Sequence, residues 1–190
     1  MLEIGCGSAL CGLTCALKVA HVLSSDSVED AVTVAKQSAD ANAISENSIR
    51  FECRSWERLE LFEEEAFDVV LGSDVLFYRG AAPYVAKVIS KSMKLNGCAL
   101  IADPVRLNVN DFCSRLDVLG LTTQIRQFAD SDNAIAKVGA LTNGAGKEAF
   151  VKLKKAKLVI VQRKDSTTLL SNSIVNAILT MTEPFVGLDE

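Results

Sequence analysis

The sequence has no excess of basic charge and no long apolar run. Its 190 residues include 20 lysines and arginines against 24 aspartates and glutamates, a formal net charge of -4 at pH 7. Without a positive field to attract phosphate backbones or anionic lipids, we expect neither nucleic acid nor a membrane surface as the partner. No apolar run approaches the roughly 20 residues of a spanning helix, and no basic region precedes an apolar stretch at the N-terminus. We therefore expect a cytoplasmic or nuclear protein.

Ligands for a metal ion are also scarce. The chain has six cysteines but no C-x-x-C pair, and His21 is its only histidine. Because a zinc site needs clustered ligands, we predict no metal site. The cysteines stand among apolar neighbours, and we interpret them as small buried hydrophobic residues. His21 precedes an apolar run and is interpreted as a packed or edge residue rather than a catalytic base.

Internal repeats and low-complexity segments are absent, so hydrophobic periodicity is the remaining signal for the fold. With 49% hydrophobic and 23% charged residues, the composition is that of one globular domain. Seven short apolar runs predict strands, at residues 1–5, 21–25, 49–53, 67–72, 98–102, 122–128 and 158–161. Helices between most of them require crossover connections, which favour a mostly parallel sheet covered on both faces. The fold class is therefore α/β, doubly wound.

For two of the intervening helices, the sequence predicts a buried face or a helix end. Leu10, Leu13 and Leu17 recur at helical spacing and predict the buried face of the first helix. The helix before the fifth strand is predicted to close at Asn96-Gly97, a pair typical of helix ends.

The last part of the chain departs from this alternation. No clear helix separates the runs 122–128 and 158–161, so we expect an antiparallel strand pair at the edge of the sheet. After residue 165, apolar residues recur at helical spacing before Pro184, namely Leu170, Ile174, Ile178 and Met181. We therefore divide the chain into a domain over residues 1–164 and a C-terminal helical extension over residues 165–190.

Candidate ligand-binding residues follow the predicted strands at one edge of the sheet. In an open parallel sheet, ligands lie beyond the carboxyl ends of the strands. A turn with Gly5 and Gly7 ends the first strand, Asp26 ends the second, and Asp74 follows the fourth. The glycines permit a tight turn and close approach of a ligand to the backbone. Asp26 can accept hydrogen bonds from both hydroxyls of a ribose, whether in NAD or in an adenosyl cofactor.

The motifs at this edge resemble those of seven-β-strand methyltransferases that use S-adenosylmethionine. The run LEIGCGSALCGLTCA, Asp26 about one helix later and FDVVLGSDVLFY most closely resemble family 16, the lysine-methyltransferase-like branch. The likeness follows the element order from Met1 to about Arg163 and is strong at these motifs. It implies a Rossmann-like fold, S-adenosyl-L-methionine as the cofactor, and a protein substrate with lysine as the favoured acceptor.

The resemblance assigns cofactor contacts to the ends of the first four strands. Glu3, Gly5 and Gly7 would surround the methionine end of the cofactor, and Asp26 would hold its ribose. Trp56 matches a tryptophan that family members place beside the adenine; the alternative is a large core residue. The predicted cofactor-binding residues are Glu3, Gly5, Gly7, Asp26, Trp56 and Ser73.

The resemblance places the substrate after the fourth strand, and the residues after the fifth strand, which include Arg106, lie at the same ligand-facing edge. Asp74 and Phe77 match the ends of a D-x-x-Y/F motif and are the predicted catalytic residues. Asp74 would orient an incoming amine, while Phe77 and Tyr78 would wall a partly dry slot that promotes loss of the amine's proton. Arg106 would line the substrate entrance. The alternative is that Asp74 caps the next turn and Phe77 packs in the core.

The chain departs from the family pattern at its start. Ala9 stands where many members have glycine, a change expected to narrow the turn. Members also carry a sizeable segment before the first motif, whereas this chain begins within the first predicted strand. We therefore expect either a fragment or truncated product, or an unusually open cofactor pocket.

Three alternatives to a protein methyltransferase follow from the same residues. One is a methyltransferase for a small molecule, and another is a non-catalytic interaction module that keeps the fold. An NAD-dependent oxidoreductase is disfavoured, because Leu10 stands where the G-x-G-x-x-G fingerprint needs its third glycine.

Overall fold

A seven-stranded sheet lies at the centre of the protein. The computed structural model describes residues 1–18, 21–104, 108–128, 135–137, 150–152 and 156–164. The strands in chain order are β1 (Leu2–Ile4), β2 (Val22–Asp26), β3 (Ile49–Cys53), β4 (Phe67–Ser73), β5 (Met93–Asp103), β6 (Leu121–Phe128), β7 (Ile135–Lys137), β8 (Phe150–Lys152) and β9 (Ala156–Arg163). Strands β7 and β8 form a separate antiparallel pair. The remaining seven strands form the sheet in the order β3-β2-β1-β4-β5-β9-β6.

The sheet is mostly parallel, as predicted. Strands β1 to β5 pair in parallel. Strand β9 runs antiparallel to both β5 and β6, so the chain reverses direction next to the edge of the sheet. The expected α/β class with antiparallel pairing at the edge is therefore confirmed, and the reversed strand lies one position in from the edge.

Helices cover both faces of the sheet. They are α1 (Leu10–Ala16), α2 (Glu29–Ala41), α3 (Ala81–Ser92) and α4 (Val109–Val118), with a short 3₁₀ helix at Leu59–Leu61. The larger core cluster contains residues of α3 and α4 packed against Leu2, Ile4 and Val70. The smaller cluster contains Leu13 and Ala35, from α1 and α2, on the opposite face. Because helices pack on both faces of the sheet, the strands are held in place, and so are the turns that follow their carboxyl ends.

The prediction that α3 closes at Asn96-Gly97 is wrong. Helix α3 ends at Ser92 and β5 begins at once, at Met93. The β4–β5 register shifts between Phe67 and Val69, which are paired with Met93 and Cys98. A Cβ at Gly97 would lie 2.9 Å from the Asp68 carbonyl oxygen, so this glycine permits close approach of the two strands.

The buried face predicted for the first helix is also wrong in part. Leu13 is buried, but Leu10 is 72% exposed and Leu17 is 65% exposed. Helix α1 has only seven residues, and Leu17 follows its end. The helix therefore contacts the sheet mainly through Gly12 and Leu13.

The remaining sequence predictions concern the cysteines, the end of the chain, membrane spans and metal sites. Among the cysteines, Cys98 is buried, whereas Cys11 and Cys53 are exposed, contrary to the prediction of a buried set. The predicted C-terminal helix over 165–190 and Arg106 lie outside the described residues. Within the described residues, no helix is long and apolar enough to cross a membrane. In the same part of the chain, no three histidine, cysteine or acidic side chains are grouped so as to hold a metal ion.

Candidate functional site

A cleft of about 340 Å³ opens where β1, β2 and β4 reach their carboxyl ends. Small-molecule sites in proteins typically measure roughly 300–1,000 Å³, so the cleft has the size of a small-ligand site. Its lining comes from the turns that follow β1, β2, β3 and β4. The lining residues are Gly5, Gly7, Asp26, Ser27, Val28, Ser55, Trp56, Glu57, Asp74, Val75, Phe77 and Tyr78.

A larger cavity of about 570 Å³ lies at the opposite edge of the sheet, where Met1, His21 and Phe67 contribute to its lining. That edge holds the amino ends of the parallel strands. Parallel sheets bind ligands beyond the carboxyl ends, and this cavity contains none of the predicted site residues. Three further cavities of about 370, 640 and 480 Å³ contain none of them either. We therefore take the smaller cleft as the candidate site.

The turn after β1 contains two glycines with different surroundings. Gly5 has a φ of +62° and Gly7 a φ of +52°, and both angles lie in the left-handed region that favours glycine. A Cβ at Gly5 would lie 2.8 Å from Trp56 Cζ2 and 3.0 Å from Val75 Cγ1. A Cβ at Gly7 would meet no atom within 4 Å. Gly5 therefore permits close packing beneath the cleft, while Gly7 leaves open space above the turn.

Asp26 connects the first two turns of the cleft. Its Oδ2 accepts a hydrogen bond from the Gly7 backbone N–H at 2.9 Å, and its Oδ1 accepts one from the Val28 N–H at 3.0 Å. A carboxylate has about four acceptor positions, so two remain for a ligand. This arrangement suits the pair of hydroxyls on a ribose.

Glu3 lies beneath the turn rather than in the cleft. The residue is 4% exposed, and its carboxylate accepts hydrogen bonds from the Gly12 N–H at 3.0 Å and from the Ser24 hydroxyl. Burial raises the pKa of Glu3 above its usual range, and the hydrogen bond from Ser24 opposes that rise. Glu3 thus supports the turn through its contact with α1, and its predicted contact with a cofactor stays a prediction.

The turn after β4 presents two aromatic side chains. Asp74 has a φ of 56°, a conformation that aspartate tolerates better than most residues, and its N–H donates to the Ala102 carbonyl oxygen at 2.8 Å. Phe77 is 58% exposed and Tyr78 is 38% exposed, with their ring centroids 5.1 Å apart in an edge-to-face contact. The alternative that Phe77 packs in the core is therefore wrong. Ser73 is exposed at the end of β4 and does not line the cleft.

The cleft is acidic. Asp26, Glu57 and Asp74 contribute carboxylates to its lining, and no lysine, arginine or histidine is among the described lining residues. Burial raises the pKa of Tyr78, and the nearby charge of Glu57 raises it further. A negative potential of this kind favours ligands that carry positive charge.

The sequence prediction and the observed lining overlap at seven residues, which are Gly5, Gly7, Asp26, Trp56, Asp74, Phe77 and Tyr78. Five lining residues were not predicted, and these are Ser27, Val28, Ser55, Glu57 and Val75. Each of the five lies within two positions of Asp26, Trp56 or Asp74, so sequence proximity was the signal that could have identified them.

The chain is similar in sequence to a known protein family and to a curated protein. The family described as lysine methyltransferase matches residues 1–116. The chain is also similar to the histidine protein methyltransferase 1 homolog of Dictyostelium discoideum, with 26% identity over 152 residues. That match covers 75% of this chain and 49% of the relative, so the chain spans about half the length of the curated protein it matches.

Solved structures resemble the fold at low sequence identity. The precorrin-6y C5,15-methyltransferase of Geobacter metallireducens GS-15 has a TM-score of 0.64 and 11% identity, over 86% of this chain and 78% of that one. A TehB-like SAM-dependent methyltransferase from Corynebacterium glutamicum has a TM-score of 0.59 and 17% identity, over 86% and 79% of the two chains. At these identities the likeness concerns the fold alone.

Proposed function

Because the chain belongs to the lysine methyltransferase family, we propose that it transfers a methyl group from S-adenosyl-L-methionine to a protein side chain, with lysine favoured. S-adenosyl-L-methionine is the cofactor expected for this family and fold. One observation supports the proposal most directly. The glycine turn, Asp26, Trp56 and the exposed Phe77 come from four separate strand ends and line one cleft.

The cleft fits the adenosyl part of this cofactor. Gly7 leaves open space above the first turn, where a ligand can approach the backbone. Asp26 has acceptor capacity left for the ribose hydroxyls after its two backbone hydrogen bonds. Trp56 lines the cleft and presents an indole ring, against which the flat adenine can stack.

The turn after β4 would receive the methyl acceptor. The cofactor supplies a methyl group already activated on a sulfonium, so the protein's task is to hold a neutral nucleophile in line with it. The Asp74 carboxylate would accept a hydrogen bond from the incoming amine. Phe77 and Tyr78 would exclude water around that amine, which lowers its pKa and favours the neutral form.

A histidine side chain is the second candidate acceptor, because the Dictyostelium relative is named as a histidine protein methyltransferase. An imidazole is largely neutral near pH 7, whereas a lysine amine must first lose its proton. The acidic, aromatic rim at Glu57, Phe77 and Tyr78 favours the amine, because it can attract the cation and then desolvate it.

Cofactor binding is tested first, by thermal unfolding with S-adenosylhomocysteine. At a hundredfold excess over Kd, a ligand stabilises the folded state by about 2.7 kcal/mol, or roughly 5–10 °C in Tm. The native protein is expected to show this rise, and Asp26→Ala is expected to abolish it. Asp30→Ala is the matched control, since Asp30 is an exposed carboxylate of α2 that does not line the cleft. No rise for the native protein would contradict the proposal and favour an interaction module.

Methyl transfer is tested with isotope-labelled cofactor and a cell lysate, followed by mass spectrometry of the labelled proteins. Label on lysine supports the proposal, and label on histidine supports the second candidate. Label confined to small molecules would contradict both. Phe77→Ala is expected to reduce transfer while leaving cofactor binding and stability near native values, because the Phe77 ring is already mostly exposed.

A further inference from the structure

Arg54 is a buried cation that lies beside the cleft without lining it. The residue follows β3 and is 7% exposed. Its Nε and Nη2 donate to Glu52 Oε2 at 2.9 and 2.8 Å, while Nη1 and Nη2 donate to the two oxygens of Glu63 at 2.6 and 2.9 Å. The guanidinium carbon lies 5.7 Å from the centroid of the Phe62 ring. Burying an arginine costs desolvation energy, and here two carboxylates and an aromatic face offset that cost.

These contacts close the base of one loop. We define the Trp56 loop as residues 54–63, which begins at Arg54 and ends at Glu63. The paired hydrogen bonds between the two side chains join its ends, and Phe62, only 1% exposed, anchors it in the core. Between these anchors lie Ser55, Trp56 and Glu57, all of which line the cleft.

Arg54 also connects this loop to the turn after β2. Its backbone N–H donates to the Asp26 carbonyl oxygen at 2.8 Å. Arg54 is thus hydrogen-bonded through its backbone to the residue whose carboxylate is the acceptor proposed for the ribose. The Trp56 indole meanwhile packs against Gly5, where even a methyl group would overlap the ring. The indole therefore has no space to move closer to the turn after β1.

From these contacts we propose that Arg54 is a positioning residue for cofactor binding, whose guanidinium holds the Trp56 loop so that the indole forms one wall of the cleft. This inference rests on the proposed function, since it assumes that the cofactor occupies the cleft. It assigns to Arg54 no contact with the cofactor itself. Arginine suits this task because its planar fork bonds two carboxylates at once, which a lysine ammonium cannot do with the same geometry.

The loop position can be measured directly, because Trp56 is the only tryptophan in the chain. The full chain is compared with Arg54→Met, which keeps an unbranched apolar side chain, and with Arg54→Lys, which keeps the charge alone. Arg58→Met is the matched control in the same loop. The Arg58–Glu60 pair spans 3.0 Å, but its side chains are 65% and 67% exposed, and such pairs contribute little to stability.

Two measurements decide the outcome, acrylamide quenching of Trp56 fluorescence without ligand and calorimetric affinity for S-adenosylhomocysteine. Arg54→Met is expected to make Trp56 easier to quench and to weaken binding about tenfold, equivalent to about 1.4 kcal/mol. For Arg54→Lys, both the quenching of Trp56 and the affinity are expected to lie between those of Arg54→Met and the native protein. Arg58→Met is expected to show native quenching and native affinity. Arg163→Ala removes a partly exposed ion pair with Glu65, which lies outside the loop, and tests whether general destabilisation alone raises quenching.

Native quenching and affinity in a folded Arg54→Met protein would overturn the inference and leave the proposed function standing. The same holds if Arg163→Ala raises quenching as much as Arg54→Met does. If Arg54→Met does not fold, Glu63→Gln replaces it, because that change weakens the loop closure while Arg54 keeps Glu52 as a partner. If the native protein binds no S-adenosylhomocysteine, the proposed function fails together with the role in cofactor binding.

Discussion

Replacing Gly5 with alanine is expected to destabilise the protein more than the same change at Gly7, although both residues have positive φ angles. A left-handed alanine costs roughly 1–2 kcal/mol, and this cost applies to both variants. The Cβ at position 5 would also approach Trp56 Cζ2 to 2.8 Å and Val75 Cγ1 to 3.0 Å. Overpacking of this kind costs about 1–3 kcal/mol more. The expected losses are therefore about 2–5 kcal/mol for Gly5→Ala and about 1–2 kcal/mol for Gly7→Ala.

Urea unfolding of the native chain and the two variants measures the difference. Equal m-values would show that the midpoint shifts report stability rather than a change in the unfolded state. Alanine also restricts the unfolded chain relative to glycine, by about 0.4–1 kcal/mol, but this gain is common to both variants and cancels in the comparison. Affinity for S-adenosylhomocysteine gives a second readout. Gly7→Ala is expected to weaken binding despite its smaller effect on stability, because its methyl group would enter the open space of the cleft.

A double-mutant cycle with Trp56→Phe tests the cause. The atom nearest to the position of a Gly5 Cβ is Trp56 Cζ2, at 2.8 Å, in the six-membered ring of the indole. Phenylalanine removes that close contact, so Gly5→Ala should cost less in the Trp56→Phe background than in the native one. Two results would refute close packing as the reason for glycine at position 5. One is that Gly5→Ala and Gly7→Ala lower the free energy of unfolding equally, and the other is that the effects of Gly5→Ala and Trp56→Phe add to within about 0.5 kcal/mol.

Two further predictions concern the buried Glu3 and the partly buried Arg163. Because burial raises the pKa of Glu3 above its unfolded value of about 4.5, the unfolded chain loses this proton at lower pH than the folded protein. The native protein should therefore lose stability relative to Glu3→Gln as pH rises above that value. Urea unfolding of both proteins between about pH 4 and pH 8 measures the difference in their free energies of unfolding. Arg163 donates from Nη2 to the carbonyl oxygens of Ser90 and Met93 at 3.0 and 2.9 Å, so Arg163→Ala should cost about 2–3 kcal/mol in urea unfolding. The control Arg115→Ala, in an exposed ion pair, should cost about 0.5 kcal/mol or less.

The position of the candidate cleft was predictable from the sequence, because the topology of the sheet determines it. Parallel strands place their carboxyl ends at one edge, so Gly5, Asp26 and Asp74 meet there even though 69 positions separate the first from the last. The face of the sheet on which the Glu3 side chain lies was also predictable. Leu2 and Ile4 belong to the core on the α3 and α4 face, and strand alternation sends Glu3 to the opposite face, beneath α1.

Other features depend on contacts that local periodicity does not contain. Leu10 and Leu17 match a helical stripe, but α1 has too few residues for both to face the sheet. The role of Gly97 comes from the approach of β4, a neighbour in space, and not from the adjacent helix. Arg54 is one of several arginines in the sequence, and only the fold brings Glu52 and Glu63 to its guanidinium together.

Ala9 shows how the cleft tolerates a departure from the family pattern. Its φ of 58° costs roughly 1–2 kcal/mol for a residue with a Cβ, a cost that glycine would avoid. However, Ala9 is fully buried in the cluster with Leu13 and Ala35, and its methyl group gains about 0.8 kcal/mol there. Alanine also loses less chain entropy on folding than glycine, by about 0.4–1 kcal/mol. These terms nearly cancel, so Ala9→Gly should change stability little. Since Ala9 packs beneath the turn and does not line the cleft, the expected narrowing would not reach the cofactor.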